Sequence, residues 1–391
     1  MSLIHFSTTQ TSEQKILALR KILEENDFTA SGIRRAFGVR NKYQINLLDI
    51  PTSSYFAQHL DSGLSILFLL FILEEEMPRS KILKFFGHRE LNIFQQLNLL
   101  SISKRSVRAR VSLEPVEDLI IATDLRYTGR PERKNDVYYI GLDTIFLRSA
   151  IPKQKLNKLK TSRILDICTG SGIQSLLLSK YCNSTLGIDI NPRALNFARF
   201  NALLNGKKNV KFVLGDLFNA ANRERFDLIV ANPPFVPAVE APLLYACVKD
   251  LGPNKALEDV IKGVPLHLQE GGEAFIVSFI LGSGSVPFGK KIRQLPVDIF
   301  ELQLAEWDIY NYTRSRIFPQ RKSFNFGACY QKAGRLMDYF NKHRINSIRY
   351  SIFHVRRARK FFYCRETLSR KLTGPSAKIA NRIAGRFRQK T

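Results

Sequence analysis

The stretch "DICTGSGIQS", residues 166–175, decides how this chain is read. "RILDICT" (163–169) has the apolar run of a buried strand, and "GIQSLLLSKY" (172–181) has the composition of a helix. A strand that enters a helix through glycines leaves backbone N–H groups and the positive end of the helix facing a ligand. Gly170 and Gly172 let the backbone come close to that ligand. A dinucleotide site asks for GxGxxG, and the third position here is Ser175. The acid ahead of the turn, Asp166, would repel a pyrophosphate but suits the ammonium group of an amino-acid moiety.

Working outward, "STLGIDI" (184–190), "VKFVLGD" (210–216), "FDLIVANPP" (226–234) and "EAFIVSFI" (273–280) read as strands. Between them lie helical patterns at 192–206 and near 256–268. Alternation of this kind requires a mostly parallel sheet covered by helices on both faces. Asp189 closes the second strand, where a carboxylate can accept from both hydroxyls of a ribose. Asp216 ends the third strand and can accept from an adenine amino group, with Leu217 or Phe218 against the ring. Ammonium, ribose and adenine together describe S-adenosylmethionine.

In this order, "DICTGSG", "GIDINPRAL", "GDLF" and "VANPPF" resemble the motifs of class I S-adenosylmethionine-dependent methyltransferases. The resemblance implies a Rossmann-like α/β sheet and S-adenosylmethionine as cofactor, held by Asp166, Cys168, Gly170, Gly172, Asp189, Asp216 and Leu217. One position departs from the family pattern D-x-G-x-G-x-G: its first glycine is Cys168 here. Upstream, "VYYIGLDTIFLRSAI" (137–151) resembles the segment that lies across the cofactor pocket, with Gly141 and Asp143 near the methionine portion. A plain linker strand is the alternative for that segment.

"NPPF", Asn232 to Phe235, follows the fourth strand and is expected to face the transferable methyl group. Amines conjugated to a ring or carbonyl are poor nucleophiles because their lone pair is delocalised. The Asn232 side-chain oxygen and the Pro233 carbonyl can accept both N–H groups of such an amine and turn its lone pair toward the methyl, so catalysis rests on positioning and electrostatics. Pro233 and Pro234 fix the turn, and Phe235 offers a face to a flat target. The motif resembles [DN]-P-P-[FYW] of methyltransferases that act on planar nitrogens, namely exocyclic base amines and the glutamine amide of translation release factors. His267 and His354 are read as core or surface residues, since a sulfonium needs no catalytic base to activate it.

Composition, 45% hydrophobic and 24% charged, is that of an ordinary globular protein. The longest apolar run, "ILFLLFIL" (66–73), is far short of the roughly 20 residues of a membrane span and reads as a buried helix. No secretory signal is visible in "MSLIHFSTTQTSEQ". Cys168, Cys182, Cys247, Cys329 and Cys364 are scattered and match no disulfide or zinc spacing, so no metal and a reducing cytoplasm are expected.

Net charge is +26 and uneven: residues 341–391 hold 15 Lys/Arg against one acid. Such a field favours nucleic acid or an acidic membrane surface; a solvated basic tail is the plain alternative. Residues 78–115 suggest two short helices and then an alternating stretch, resembling a winged helix-turn-helix module with Lys104, Arg105, Arg108 and Arg110 on its wing; contact with a protein or packing on a partner domain is the alternative to nucleic-acid contact. The expected organisation is a mainly helical, winged-helix-like domain over 1–115, a linker and cofactor-covering segment over 116–160, and a methyltransferase domain over 161–369. A helical insertion over 283–335 interrupts the last, a late strand "INSIRYSIFHV" (345–355) closes the sheet, and 370–391 is a basic tail.

The favoured reading is N-methylation of an exocyclic base amine in nucleic acid, RNA above DNA, bound through the wing and the C-terminal Arg-rich segment. Methylation of a glutamine amide in a release factor fits the NPPF turn equally well and needs the charge less. A small-molecule acceptor would call for a closed apolar pocket above Phe235, formed by Trp307, Tyr310 and Tyr312. A purely structural nucleic-acid binder has only Cys168 in its favour.

Overall fold

The computed structural model describes residues 10–39, 45, 49–126, 135–237, 239, 247–248, 254–282, 286–317 and 326–368. The expected basic tail, 370–391, lies outside them. Chain order begins with α1 (Gln10–Glu25), α2 (Ala30–Phe37), α3 (Ile50–His59) and α4 (Gly63–Leu67), the last running into a buried π-helical turn, Phe68–Ile72. Then come β1 (Met77–Pro78), α5 (Arg79–Leu83), α6 (His88–Gln96), β2 (Leu100–Ile102), β3 (Ser106–Ala109), β4 (Ser112–Val116) and β5 (Leu119–Thr123). Strands β1, β3 and β2 make a small antiparallel sheet, and Lys104, Arg105 and Arg108 are exposed on its hairpin. Arg110 is turned inward and donates to Asn98 Oδ1 at 3.2 Å.

The second part holds α7 (Leu142–Ala150), α8 (Lys153–Leu156), β6 (Arg163–Ile167), α9 (Ile173–Leu178), β7 (Ser184–Asp189), α10 (Pro192–Leu204), β8 (Val210–Leu214) and β9 (Phe226–Ala231). It continues through β10 (Val236–Pro237), β11 (Cys247–Val248), α11 (Lys255–His267), β12 (Leu268–Leu281), β13 (Val297–Asp308), α12 (Ile309–Ile317), α13 (Phe326–Lys342), β14 (Ser347–Arg357) and β15 (Phe362–Thr367). Eight strands form one sheet in the order β15-β13-β14-β12-β9-β6-β7-β8. From β12 to β8 neighbouring strands are parallel; β14 runs against both β12 and β13. This is the Rossmann-like α/β sheet expected from the motifs. The chain moves from β6 outward to β7 and β8, then returns to the other side of β6 as β9. The crevice at the ends of β6 and β9 is therefore the switch point where such sheets bind ligands. Ile167 is level with both Ile188 and Ala231, so Cys168, Asp189 and Asn232 leave the sheet along one edge.

Three expectations change. The segment 283–335 is not a helical insertion: β13 occupies its centre and lies inside the sheet, with α12 and α13 after it. Alternation of Ile299, Glu301 and Gln303 with Phe300, Leu302 and Leu304 carries that strand, but the polar members of the first set hide its buried face. Glu301 is 0% exposed and accepts from Ser351 Oγ at 2.7 Å and Arg349 Nε at 3.3 Å. Strand β14, expected to close the sheet, is interior, and β15 from the Arg-rich stretch closes it. The boundary at 115 cuts through the paired hairpin β4–β5. Nor do the cores separate there, because Leu19, Leu23, Phe71 and Leu113 share one cluster with Phe197, Phe200 and Leu204 of α10.

Helix α10 also binds that hairpin through polar groups. Asn201 Oδ1 accepts from Ala122 N at 2.8 Å and its Nδ2 donates to Ala122 O at 3.1 Å; Asn205 does the same with Ile120 N at 2.9 Å and Ile120 O at 2.7 Å. Two asparagines one helical turn apart thus satisfy alternate residues of the β5 edge as a neighbouring strand would.

Candidate active site

The turn after β6 is built from left-handed backbone. Cys168 has φ 59°, Gly170 φ 55° and Gly172 φ 82°. At Gly172 a Cβ would stand 2.9 Å from Ala198 Cβ and from Phe212 Cζ, so only glycine fits between α10 and β8. At Gly170 no atom lies within 4 Å of the Cβ position, which leaves its backbone open toward a ligand. Cys168 holds a conformation that costs a residue with a Cβ on the order of 1 kcal/mol, a physical reason for glycine at this position in the family pattern.

Two carboxylates hold the turn in shape. Asp166 Oδ2 accepts from Thr169 Oγ1 at 2.5 Å, Ser175 Oγ at 2.8 Å and Ser175 N at 3.0 Å. Burial raises its carboxyl to about 6, against the pull of those donors. Oδ1 makes no hydrogen bond among the described residues. Asp189 Oδ2 accepts from Gly170 N at 2.8 Å and Oδ1 from Asn191 N at 2.9 Å, so each oxygen already serves one backbone amide before any ribose hydroxyl arrives. Burial raises this carboxyl too.

A cavity of about 390 Å³ opens here, within the size range of small-molecule sites. Asp166, Cys168, Gly170, Asp189, Asp216 and Leu217 line it, and so do Asn232 to Phe235. Gly172 is not on its wall; it sets the turn from behind. Aspartates at three strand ends fit the cationic and hydroxyl-bearing parts of S-adenosylmethionine. The 137–151 segment lines the cavity through Tyr138, Tyr139, Asp143 and Thr144, whereas Gly141 is not on its wall. Sequence reasoning did not find Asp136 or Asp259 of α11, neither of which stands in a motif; Tyr138 and Tyr139 stand in the 137–151 stretch but carry no role there.

At the acceptor end, Asn232 Nδ2 donates to Asp143 Oδ2 at 2.6 Å. A carboxylate has no proton to give, so the NH₂ end of the amide must face it and the carbonyl end must face away. Asp143 is therefore a partner of the NPPF turn. Burial raises its carboxyl as well, and the Asn232 hydrogen bond opposes that rise. Phe235 packs on Phe279 of β12 with centroids 4.6 Å apart and rings tilted by 52°. Phe279 in turn meets Trp307, Tyr312 and Tyr350. Trp307 and Tyr312 thus support Phe235 through one intervening ring, whereas Tyr310 is 68% exposed and closes nothing above it. Among the described residues, no helix is long and apolar enough to cross a membrane.

Residues 143–280 match the family model described as the methyltransferase small domain. The chain is similar to the release factor glutamine methyltransferase of Thermodesulfovibrio yellowstonii, 34% identical over 138 residues, which are 34% of this chain and 50% of that one. It is similar to the Fusobacterium nucleatum protein of the same name at 36% over 117 residues, 29% of this chain and 33% of that one. A Methanocaldococcus jannaschii protein named provisionally as a protein N5-glutamine methyltransferase is 31% identical over 143 residues, 35% of this chain and 69% of its own. The chain spans half or less of the first two relatives. The motif order, the sheet with its switch point and these relatives agree: the chain belongs to the class I S-adenosylmethionine-dependent methyltransferases.

Proposed function

We propose that this enzyme methylates the side-chain amide nitrogen of a glutamine in a protein, with a translation factor as the partner. The observation that carries the reading is the Asn232–Asp143 hydrogen bond, which turns a carbonyl acceptor away from Asp143 beside the Phe235 ring. A primary carboxamide is flat and carries two N–H groups on a weakly nucleophilic nitrogen. Asn232 Oδ1 and the Pro233 carbonyl would accept one each, and Phe235 would lie against the amide plane. Asp166, Cys168, Gly170, Asp189, Asp216 and Leu217 would hold the S-adenosylmethionine, which supplies an electrophilic methyl group. The proton lost from nitrogen leaves toward solvent or the acceptor oxygens. The names of the similar proteins favour glutamine over a base amine.

An exocyclic base amine in RNA is the second reading, favoured by the net charge of +26 and by exposed Lys104, Arg105 and Arg108 on the N-terminal hairpin. The same NPPF turn would accept either group. We assign residues up to the β4–β5 hairpin to substrate recognition, with the winged-helix-like order α5, α6, β2, β3 as its core.

The test gives the purified protein labelled S-adenosylmethionine and an extract of cells lacking its gene, with Asn232→Ala as control. Protease-sensitive label that the variant fails to produce is expected, and acid hydrolysis of the N5-methylglutamine amide should then release the label as methylamine, leaving glutamate. Ribonuclease-sensitive label would overturn the glutamine reading in favour of the base.

A further inference from the structure

We infer that Asp143 is a positioning residue for methyl transfer: by holding the Asn232 NH₂ group with an anion, it presents the Asn232 carbonyl oxygen to the acceptor nitrogen and strengthens it as an acceptor. This rests on the NPPF turn being the acceptor site and holds for either acceptor class.

An unrestrained amide can offer either end. With its NH₂ end toward the substrate, Asn232 would set N–H against N–H and repel a flat amine or amide. A neutral anchor at 143 could accept from Asn232 in one orientation and donate in the other, so it would not exclude the wrong one. A carboxylate excludes it. Hydrogen bonds in series also polarise one another, so negative charge behind the NH₂ group makes the carbonyl at the other end more basic.

Asp143 is costly to bury in this state. It is 6% exposed and makes no ion pair among the described residues. The other titratable groups that feel it are Tyr138 and Tyr350, neither of them positive. Its support is local: it lies in the first turn of α7, where the helix N-terminus favours an anion. Gly141 makes room for it, since a Cβ there would stand 2.2 Å from Asp143 Oδ1. A buried carboxylate kept without a cation, in contact with the one side chain that must face the acceptor correctly, is what a site for chemistry requires and a packing anchor does not.

The experiment compares the wild type, Asp143→Asn, Asn232→Ala and the double variant. Two quantities are measured: the S-adenosylmethionine dissociation constant by calorimetry, and the initial rate of total label transfer into extract of cells lacking the gene. Counting label irrespective of its chemical class keeps this result separate from the glutamine proposal, which fails if the label is in RNA. Asp143→Asn is expected to slow transfer on the order of 100-fold, far more than it changes the dissociation constant. It is expected to cost nothing further in the Asn232→Ala background. Wild-type rates in Asp143→Asn would overturn the inference, as would loss of cofactor affinity in proportion to rate, or additivity in the double variant. If Asp143→Asn melts at a lower temperature, Asp143→Glu replaces it. Retained charge with shifted reach should then keep cofactor affinity and recover part of the rate, and no recovery would count against the inference.

Discussion

Cofactor affinity should depend on pH through Asp166. Its buried carboxyl sits at about 6 when no ligand is present. If Oδ1 must be ionised to face an ammonium group, binding releases the proton from whatever fraction of the protein carries it. At pH 5 that fraction is about ten parts in eleven, so the apparent dissociation constant should be about 11-fold weaker than at high pH; at pH 7 the penalty is only about 1.1-fold. The tenfold span corresponds to about 1.4 kcal/mol. Stability of the free protein runs the other way. Because the folded value lies above the unfolded 3.8, the stabilising contribution of Asp166 is complete below that value and is lost as pH rises through about 6. Calorimetric titration with S-adenosylmethionine between pH 5 and 8 gives the slope. Asp166→Asn should flatten it, while Ser175→Ala, which removes one donor to the carboxylate, should move the midpoint upward. An affinity independent of pH, or an unchanged profile in Asp166→Asn, would refute an ionised Asp166 at the ammonium site and direct attention to Asp189, the other raised carboxyl on the turn.

Cys168→Gly should change stability by no more than about 0.5 kcal/mol, since roughly 1 kcal/mol of left-handed strain relieved is offset by about 0.5–1 kcal/mol of extra freedom in the unfolded chain, and should tighten or preserve cofactor binding; urea unfolding and calorimetry check both. Because burial pushes the Cys168 thiol well above its ordinary value, iodoacetamide at pH 8 should leave it largely unmodified in the folded protein, as mass mapping would show. Gly172→Ala should cost about 2–4 kcal/mol, since its Cβ meets Ala198 and Phe212 at 2.9 Å and φ is 82°. Asn201→Ala should cost about 2–3 kcal/mol, because it leaves Ala122 N and two buried carbonyls without partners; the melting temperature reports it.

What was legible in the sequence follows from where polarity sits. Strands β6, β7 and β9 are buried on both faces, so they read as apolar runs, and their polar residues Asp166, Asp189 and Asn232 stand at or next to the ends of the runs, beside turns that glycine and proline mark. Residues that line the cavity could therefore be found from order alone. Strand β13 was missed because its inner face carries Glu301 and Gln303, and the groups that satisfy Glu301 lie on β14 and β15, about fifty residues away and beyond any local window. The Asn232–Asp143 pair was missed for the same reason, being 89 residues apart.

The asparagines of α10 carry this further. Asn201 and Asn205 look like ordinary polar positions on a helix, yet Asn201 is 0% exposed. Its Nδ2 donates to Ala122 O on the N-terminal hairpin and, at 2.9 Å, to Ser171 O in the cofactor turn. One amide thus joins the hairpin that the sequence boundary would have cut to the loop that shapes the cofactor site. A helix with N-x-x-x-N on a face that should be apolar is the sequence signal for such a clamp, because two buried amides one turn apart need backbone partners, and an edge strand supplies donors and acceptors at the matching spacing. It follows that the N-terminal region is part of the support of the methyltransferase site. Asn205→Ala, whose side chain bonds the hairpin, Arg20 and the Asn201 carbonyl but not the cofactor turn, should then lower stability while leaving cofactor affinity intact. Asn201→Ala should lower both, and equal effects of the two on affinity would show that the Ser171 contact does not transmit to the site.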